Sequence, residues 1–415
     1  MAVQLPSAEE WRQRCAGDGE FMLAARHWDG GVQLKIGDET LAMAVVDGQP
    51  SAGRVDGPGS IAFTGDLATW QKVLAAVPER FNNDLMANIS HDQGLTREAD
   101  PVVFAQYFAA VARSVELLRP PIERGETMPH DNRPAGTLDA PIGRYVHLNI
   151  DGFDHRVYYE EAGQGIPVLM QHTAGAHSAQ WRHLFEVPEI TEQFRLIAYD
   201  LPCHGKSVPP VAKDWWDEQY LLRGDYLRSI PLKLSESLEL DRPVFMGCSV
   251  GGLLALDLAH KHPDDFRAVI SVEGALKIEG SLDNFADLWH PQVNNEYKAR
   301  VMDGVMSPTS PKPYRKETSF VYSCGWPPVF LGDLFYYVED YDLREQAGEI
   351  DTNRVGVHIL SGEYDYSGTS ELGRAAHEAI PGSTWVNMAG VGHFPMSENP
   401  AAFIQYLKPI LEQIS

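Results

Sequence analysis

Residues 247–252 read Gly-Cys-Ser-Val-Gly-Gly, so Ser249 has a glycine two places away on either side. A serine hydroxyl is a weak nucleophile at neutral pH. To attack a carbonyl carbon it needs a base for its proton, an acid to orient that base, and donors for the oxyanion that forms. The spacing alone decides nothing, because G-x-S-x-G arises by chance roughly once in seven chains of this length. Its surroundings carry more. VFMGC (244–248) has the composition of a short buried strand, and GGLLALDLAHKHP (251–263) carries its apolar residues on one broad helical face. Ser249 therefore falls on a tight strand-to-helix turn, where a side chain at either flank would clash and glycine removes the clash. The start of the helix adds free N–H groups and the positive end of its dipole.

Such a turn needs a sheet behind it. After residue 143 the chain alternates apolar runs with helical patterns: YVHLNI, HRVYYEEAG, PVLMQ, RLIAYD, VFMGC, AVISVEG, VGVHILSG and TWVNMAG. Alternation of this kind predicts an α/β fold, a mostly parallel sheet with helices on both faces. Between about 276 and 350 no sheet strand is legible but aromatics are dense, which is expected of a cap insertion over the strand ends. Residues 119–143 are rich in Pro, Gly and charge and read as a linker. Before it, a helix at 7–16 leads into alternating stretches, FMLAARHW, GVQLKIGD, TLAMAVVDG and GSIAFTG. Two helical patterns follow, DLATWQKVLAAV and PVVFAQYFAAVARSVELL. The expected organisation is a small α+β domain with antiparallel strands at 1–118, a linker at 119–143, and an α/β domain at 144–415.

Residues 144–415 resemble the α/β-hydrolase family. The likeness rests on GCSVGG, on VLMQHTAGAHSAQW (168–181), YDLPCHGKS (199–207), LSGEYDYSG (360–368) and GVGHFPMSENP (390–400), which stand in the family's order. The resemblance implies Ser249 as nucleophile, His393 as base and Asp365 as orienting acid. Glu273, at the end of the sixth strand of this domain, is the alternative acid. It implies oxyanion donors at Val250 N–H and Ala174 N–H; Thr173 stands where the family usually has glycine, and Cys203 also replaces a family glycine. Cys248 reads as apolar packing. His172, His177, Trp181, Trp326 and Tyr337 are candidates for the substrate pocket. No metal and no organic cofactor is implied. Residues 5–95, around WDGGVQLKIGDETLAMAVVDG and FTGDLATWQKVL, resemble sterol-carrier-protein-like domains, which enclose an apolar tunnel; a binding or oligomerisation role is the expectation there.

A formal net charge of −24 argues against nucleic acid and anionic membrane partners. The start MAVQLPSAEEWRQRC lacks the basic and apolar regions of a signal peptide, and no run of 18 apolar residues exists. Four scattered cysteines without a C-x-x-C pair suggest reduced thiols and a cytoplasmic setting. The expected function is a serine esterase or lactonase acting through an acyl-enzyme on a small hydrophobic, aromatic-tolerant substrate. Carbon–carbon bond hydrolysis of a ring-fission product is the alternative, since the same triad serves it. A ligand-binding protein with a vestigial triad is a third reading, and homo-oligomerisation is left open.

Overall fold

In a computed structural model that describes residues 6–415, the chain forms two compact units; the first five residues of the expected 1–118 domain lie outside the described residues. The first unit takes residues up to Arg124 and also Asp287–Thr309, and the second takes Gly125–Ala286 and Ser310–Ser415.

The first unit is built on five strands: β1 (Gly30–Ile36), β2 (Glu39–Val46), β3 (Gln49–Ser51), β4 (Ser60–Gly65) and β5 (Thr96–Glu98), in the order β3-β2-β1-β4-β5. β1 and β2 form a hairpin, but β1 pairs with β4 in parallel, so the sheet is mixed where antiparallel strands were expected. FMLAARHW is not a strand. Asp18 caps a short helix, Gly19–Ala24, by accepting Phe21 N–H at 2.8 Å, and this local cap outweighs the alternating pattern. The helix Pro101–Glu116 buries Phe104 and Phe108. Residues 287–309, expected in the cap of the other domain, belong here. Tyr297 sets its ring edge against Phe104 and Phe108, and Arg300 reaches Asp84 at 2.9 Å. β1, β4 and the helix Pro101–Glu116 border an open groove of about 820 Å³ with Gln33, Lys35, Glu98 and Asp100 on its walls. That lining is more polar than a sterol-carrier-like tunnel would need.

The second unit holds eight strands: β6 (Ile142–Ile150), β7 (Phe153–Ala162), β8 (Ile166–Gln171), β9 (Phe194–Tyr199), β10 (Val244–Cys248), β11 (Ala268–Val272), β12 (Gly356–Gly362) and β13 (Thr384–Met388). Their order is β13-β12-β11-β10-β8-β9-β7-β6, antiparallel only at the β6, β7 end. Every residue of β10 and β11 is buried, as central parallel strands covered on both faces require. Because β8 to β13 run parallel, their carboxyl ends share one edge, and the loops leaving that edge are where chemistry can be assembled. Between β11 and β12 the chain makes two helices of this unit, Lys312–Ser323 and Pro327–Leu334, followed by a π-helical turn at Phe335–Asp340. No helix among the described residues is long and apolar enough to cross a membrane.

Candidate active site

Ser249 joins β10 to the helix Val250–Lys261 with φ 59° and ψ −114°, a left-handed backbone that a non-glycine residue adopts only under constraint. Ser249 N–H donates to Val272 O at 2.9 Å, and Leu253 N–H donates to Ser249 O at 2.9 Å, so both sides of the turn are tied. The glycines matter unequally. A Cβ on Gly247 would lie 2.3 Å from Gly251 O, and one on Gly252 would lie 2.3 Å from Val272 O. A Cβ on Gly251 would meet Gln171 O at 3.1 Å, which is tight but not forbidden.

His393 lies in the loop after β13 and is 4 % exposed; its Nδ1 meets Asp365 Oδ2 at 2.5 Å, and Asp365 is fully buried. Cys248, beside the serine, donates its thiol to His393 O at 3.2 Å, so the serine turn and the histidine loop touch. A packing role is what its sequence context implies for Cys248; the bond to the loop is additional. Burial pushes its thiol well above the ordinary cysteine value. Gly392 N–H donates to Glu398 Oε1 at 2.6 Å, and Gly390 N–H to Glu363 Oε2 at 2.7 Å, which fixes the loop from both sides.

Two buried carboxyls meet here. Glu273, at φ 53° just past β11, accepts Gly362 N–H at 2.8 Å and faces Asp365. Burial raises Glu273 well above the ordinary carboxylic value, and the neighbouring Asp365 charge adds to the rise. Burial would raise Asp365 too, but the His393 imidazole and N–H donors from Ser367 and Gly368 outweigh it and hold Asp365 below its ordinary value. One carboxylate and one neutral acid thus share the site, and the ionised one is bonded to His393.

Residues 172–175 form the loop after β8. Among the described residues, no acceptor takes the N–H of Ala174 or of Val250. Thr173 is held instead: its N–H and its hydroxyl both reach Gln180 Oε1 at 3.1 Å, and the hydroxyl also bonds Tyr322. Tyr337 is buried with its hydroxyl 3.0 Å from Ser367 Oγ and against the Ser249 hydroxyl. It stands on the π-helical turn, a geometry often found where a helix presents a functional side chain.

The other pocket candidates scatter. His172 is fully buried, donating from Nδ1 to Thr173 O at 2.8 Å and accepting Leu201 N–H at Nε2 at 3.1 Å. Both ring nitrogens are used by the backbone, and burial, then His204, lowers it to about 3. His177 accepts Ala179 N–H at the start of the turn Ser178–Glu186. Trp181 is fully buried in the core with Met170, Leu196 and Met246. Trp326 is 39 % exposed and packs edge-on against Trp215. Asp333 had no sequence signal, yet it sits at the centre of this edge, bonded to Gly175, His204 and Tyr220. Cys203 adopts φ 73°, which is the physical reason a glycine suits that position.

One cluster away from this edge has the composition of a metal site: His130, Asp131 and His183, with ligand atoms within 4.8 Å of one another. Its donors are already paired. His130 Nε2 meets His183 Nδ1 at 3.0 Å, and Arg182 takes both Asp131, at 3.1 Å, and Glu317. A cation there would compete with the Arg182 guanidinium for the Asp131 carboxylate.

A model of the alpha/beta hydrolase fold matches residues 166–400. The chain is 24 % identical over 267 residues to a pimeloyl-[acyl-carrier protein] methyl ester esterase of Vibrio atlanticus, covering 60 % of this chain and 96 % of that one. It is 29 % identical over 121 residues to a 2-hydroxymuconate semialdehyde hydrolase of Pseudomonas sp. strain CF600, covering 29 % and 40 %. Among solved structures, a thermophilic esterase of Thermogutta terrifontis superposes with a TM-score of 0.58 at 18 % identity, over 65 % of this chain and 99 % of the other.

Proposed function

This chain belongs to the alpha/beta hydrolase fold family, and from that premise we propose that it is a serine hydrolase cleaving a carboxylic ester or lactone of a small hydrophobic molecule. The observation that carries the reading is the 2.5 Å contact between His393 Nδ1 and the ionised Asp365, on a loop that Cys248 Sγ ties to the strained turn presenting Ser249. His393 Nε2 takes the Ser249 proton as Oγ attacks the carbonyl carbon, while Asp365 holds the Nδ1–H tautomer and stabilises the imidazolium. The N–H groups of Val250 and Ala174 receive the oxyanion. The imidazolium then protonates the leaving alcohol, and water, activated by the same histidine, releases the acyl group. Asp365 is the orienting acid in this scheme, and Glu273 stays neutral beside it.

Carbon–carbon hydrolysis of a ring-fission product is the second reading, supported by the similarity to the 2-hydroxymuconate semialdehyde hydrolase. The test is a screen of aryl esters, lactones and ring-fission products, with Ser249→Ala as blank. Triad loss costs on the order of 10⁶ in kcat in serine hydrolases. Turnover by Ser249→Ala within tenfold of the wild type would remove the assignment. Absence of fluorophosphonate labelling in the wild type would instead favour a binding protein.

A further inference from the structure

The loop that carries Ala174 is gripped on both sides by helices inserted between β11 and β12. On one side, Thr173 donates its hydroxyl to Gln180 Oε1, an oxygen that can only accept, so the Tyr322 hydroxyl of the helix Lys312–Ser323 must donate to Thr173. On the other side, Gly175 N–H donates to Asp333 Oδ2 at 2.7 Å, from the helix Pro327–Leu334. Phe330 stands three residues before Asp333, on the same helix face. A Cβ on Gly175 would come within 2.6 Å of its ring, and Gly175 sits at φ 63°. The helix therefore both packs on Gly175 and bonds it. Asp333 is fully buried, and its carboxylate is itself held: His204 Nε2 meets Oδ2 at 2.7 Å, and the Tyr220 hydroxyl donates to Oδ1 at 3.2 Å. His204 Nδ1 lies 3.0 Å from Pro202 O, which can only accept. With both ring nitrogens donating, His204 is an imidazolium paired to Asp333. Burial opposes that charge, but Asp333 outweighs it and holds His204 above the ordinary histidine value. The other titratable groups facing the pair are His172, His177, Asp200, Tyr220 and Cys203.

We propose that Tyr322 and the buried His204–Asp333 pair are positioning residues that hold Thr173 and Gly175 so that the Ala174 N–H between them points at the developing oxyanion. The inserted helices thus complete the oxyanion hole as well as bordering the site. The arrangement compensates for Thr173: its side chain is turned into a handle. This inference rests on the serine-hydrolase reading and adds to it that the hole depends on residues with no contact to substrate.

The test uses the full chain with a p-nitrophenyl ester and with phenylboronic acid, which forms a tetrahedral adduct with an activated serine. Asp333→Asn should lower kcat by about 10²-fold with KM within threefold, because a misplaced donor forfeits much of what a missing one does. Tyr322→Phe should lower it by about tenfold. Boronate affinity should fall in step with kcat, a coupling that a merely structural role would not produce. In the wild type, NMR should find the His204 ring titrating above a free histidine measured alongside it. Both variants turning over within twofold of the wild type overturns the inference, as does a loss confined to KM with boronate affinity unchanged. Where Asp333→Asn does not fold, Tyr322→Phe decides, and a silent hydroxyl deletion counts against it. Ser249→Ala runs beside them. If it is inactive while both variants are silent, only this inference falls; if it is active, the serine reading falls first.

Discussion

Two acids stand within reach of one histidine loop, and their environments give them different charges. Asp365 is ionised beside His393, whereas Glu273 is buried without a cation and stays protonated. Asp365→Asn should therefore lower kcat by about 10⁴, since the amide favours the wrong imidazole tautomer. Glu273→Gln copies a neutral acid in shape and polarity and should stay within tenfold of the wild type. Steady-state kinetics of the pair decide it, and the reverse ranking would move the acid to the end of β11. Motif order pointed to Ser249, His393 and Asp365 because each stands next to glycines or a strand end that leave a local mark. Asp333 left none. It is one acid in an aromatic-rich stretch, and only the fold brings it to Gly175, 158 residues away in sequence.

At the level of elements, the serine turn depends on backbone approach. Gly247 and Gly252 each face a carbonyl that a methyl group would reach at 2.3 Å, whereas Gly251 has about 3.1 Å. Gly252→Ala should destabilise the chain by about 3 kcal/mol or more, and Gly251→Ala by about 1. Thermal melts of the two variants check this, and equal losses would contradict it. The strands of the second unit were legible because short, β-branched apolar runs recur between turn signals and helical patterns, and the alternation itself singles out the reading. FMLAARHW was misread because eight residues can follow either period, and the Asp18 cap decides. The parallel pairing of β1 with β4 was hidden as well, since period-2 alternation carries no direction.

For the whole molecule, buried histidines set the response to acid. His155, His172 and His358 lie between 0 and 8 % exposed, and burial holds each below the ordinary value. The unfolded chain binds protons there below about pH 6.5, whereas the folded chain takes them up only at lower pH. Each such site removes up to about 1.4 kcal/mol of stability per pH unit on acidification. His204 has the opposite sign: its stabilisation is complete below its unfolded value and lost only as pH rises through its folded one. Asp365 is lost only below about pH 3.8. Glu273, raised by burial, gains stability on acidification, but the three histidines outnumber it, so the melting temperature should fall between about pH 6.5 and 5, and a flat profile there would refute the account. Truncation follows from the division of the chain. A protein starting at Arg144 keeps Tyr297 and Arg300 but not Phe104, Phe108 and Asp84, their partners. It should fold poorly, and replacing 287–309 as well with a flexible linker should restore folding and turnover of a small ester, measured by circular dichroism and assay. A good fold from the simple truncation would count against this. The same division has a consequence in time. The first unit needs residues 287–309, which leave the ribosome 185 residues after Arg124 (309 − 124). At about 5–20 residues per second, that is a wait of roughly 10–40 s. During that interval the nascent chain carries Phe104 and Phe108 without the Tyr297 ring that covers them, so its earliest segment is among the last to be finished and the one most in need of a chaperone.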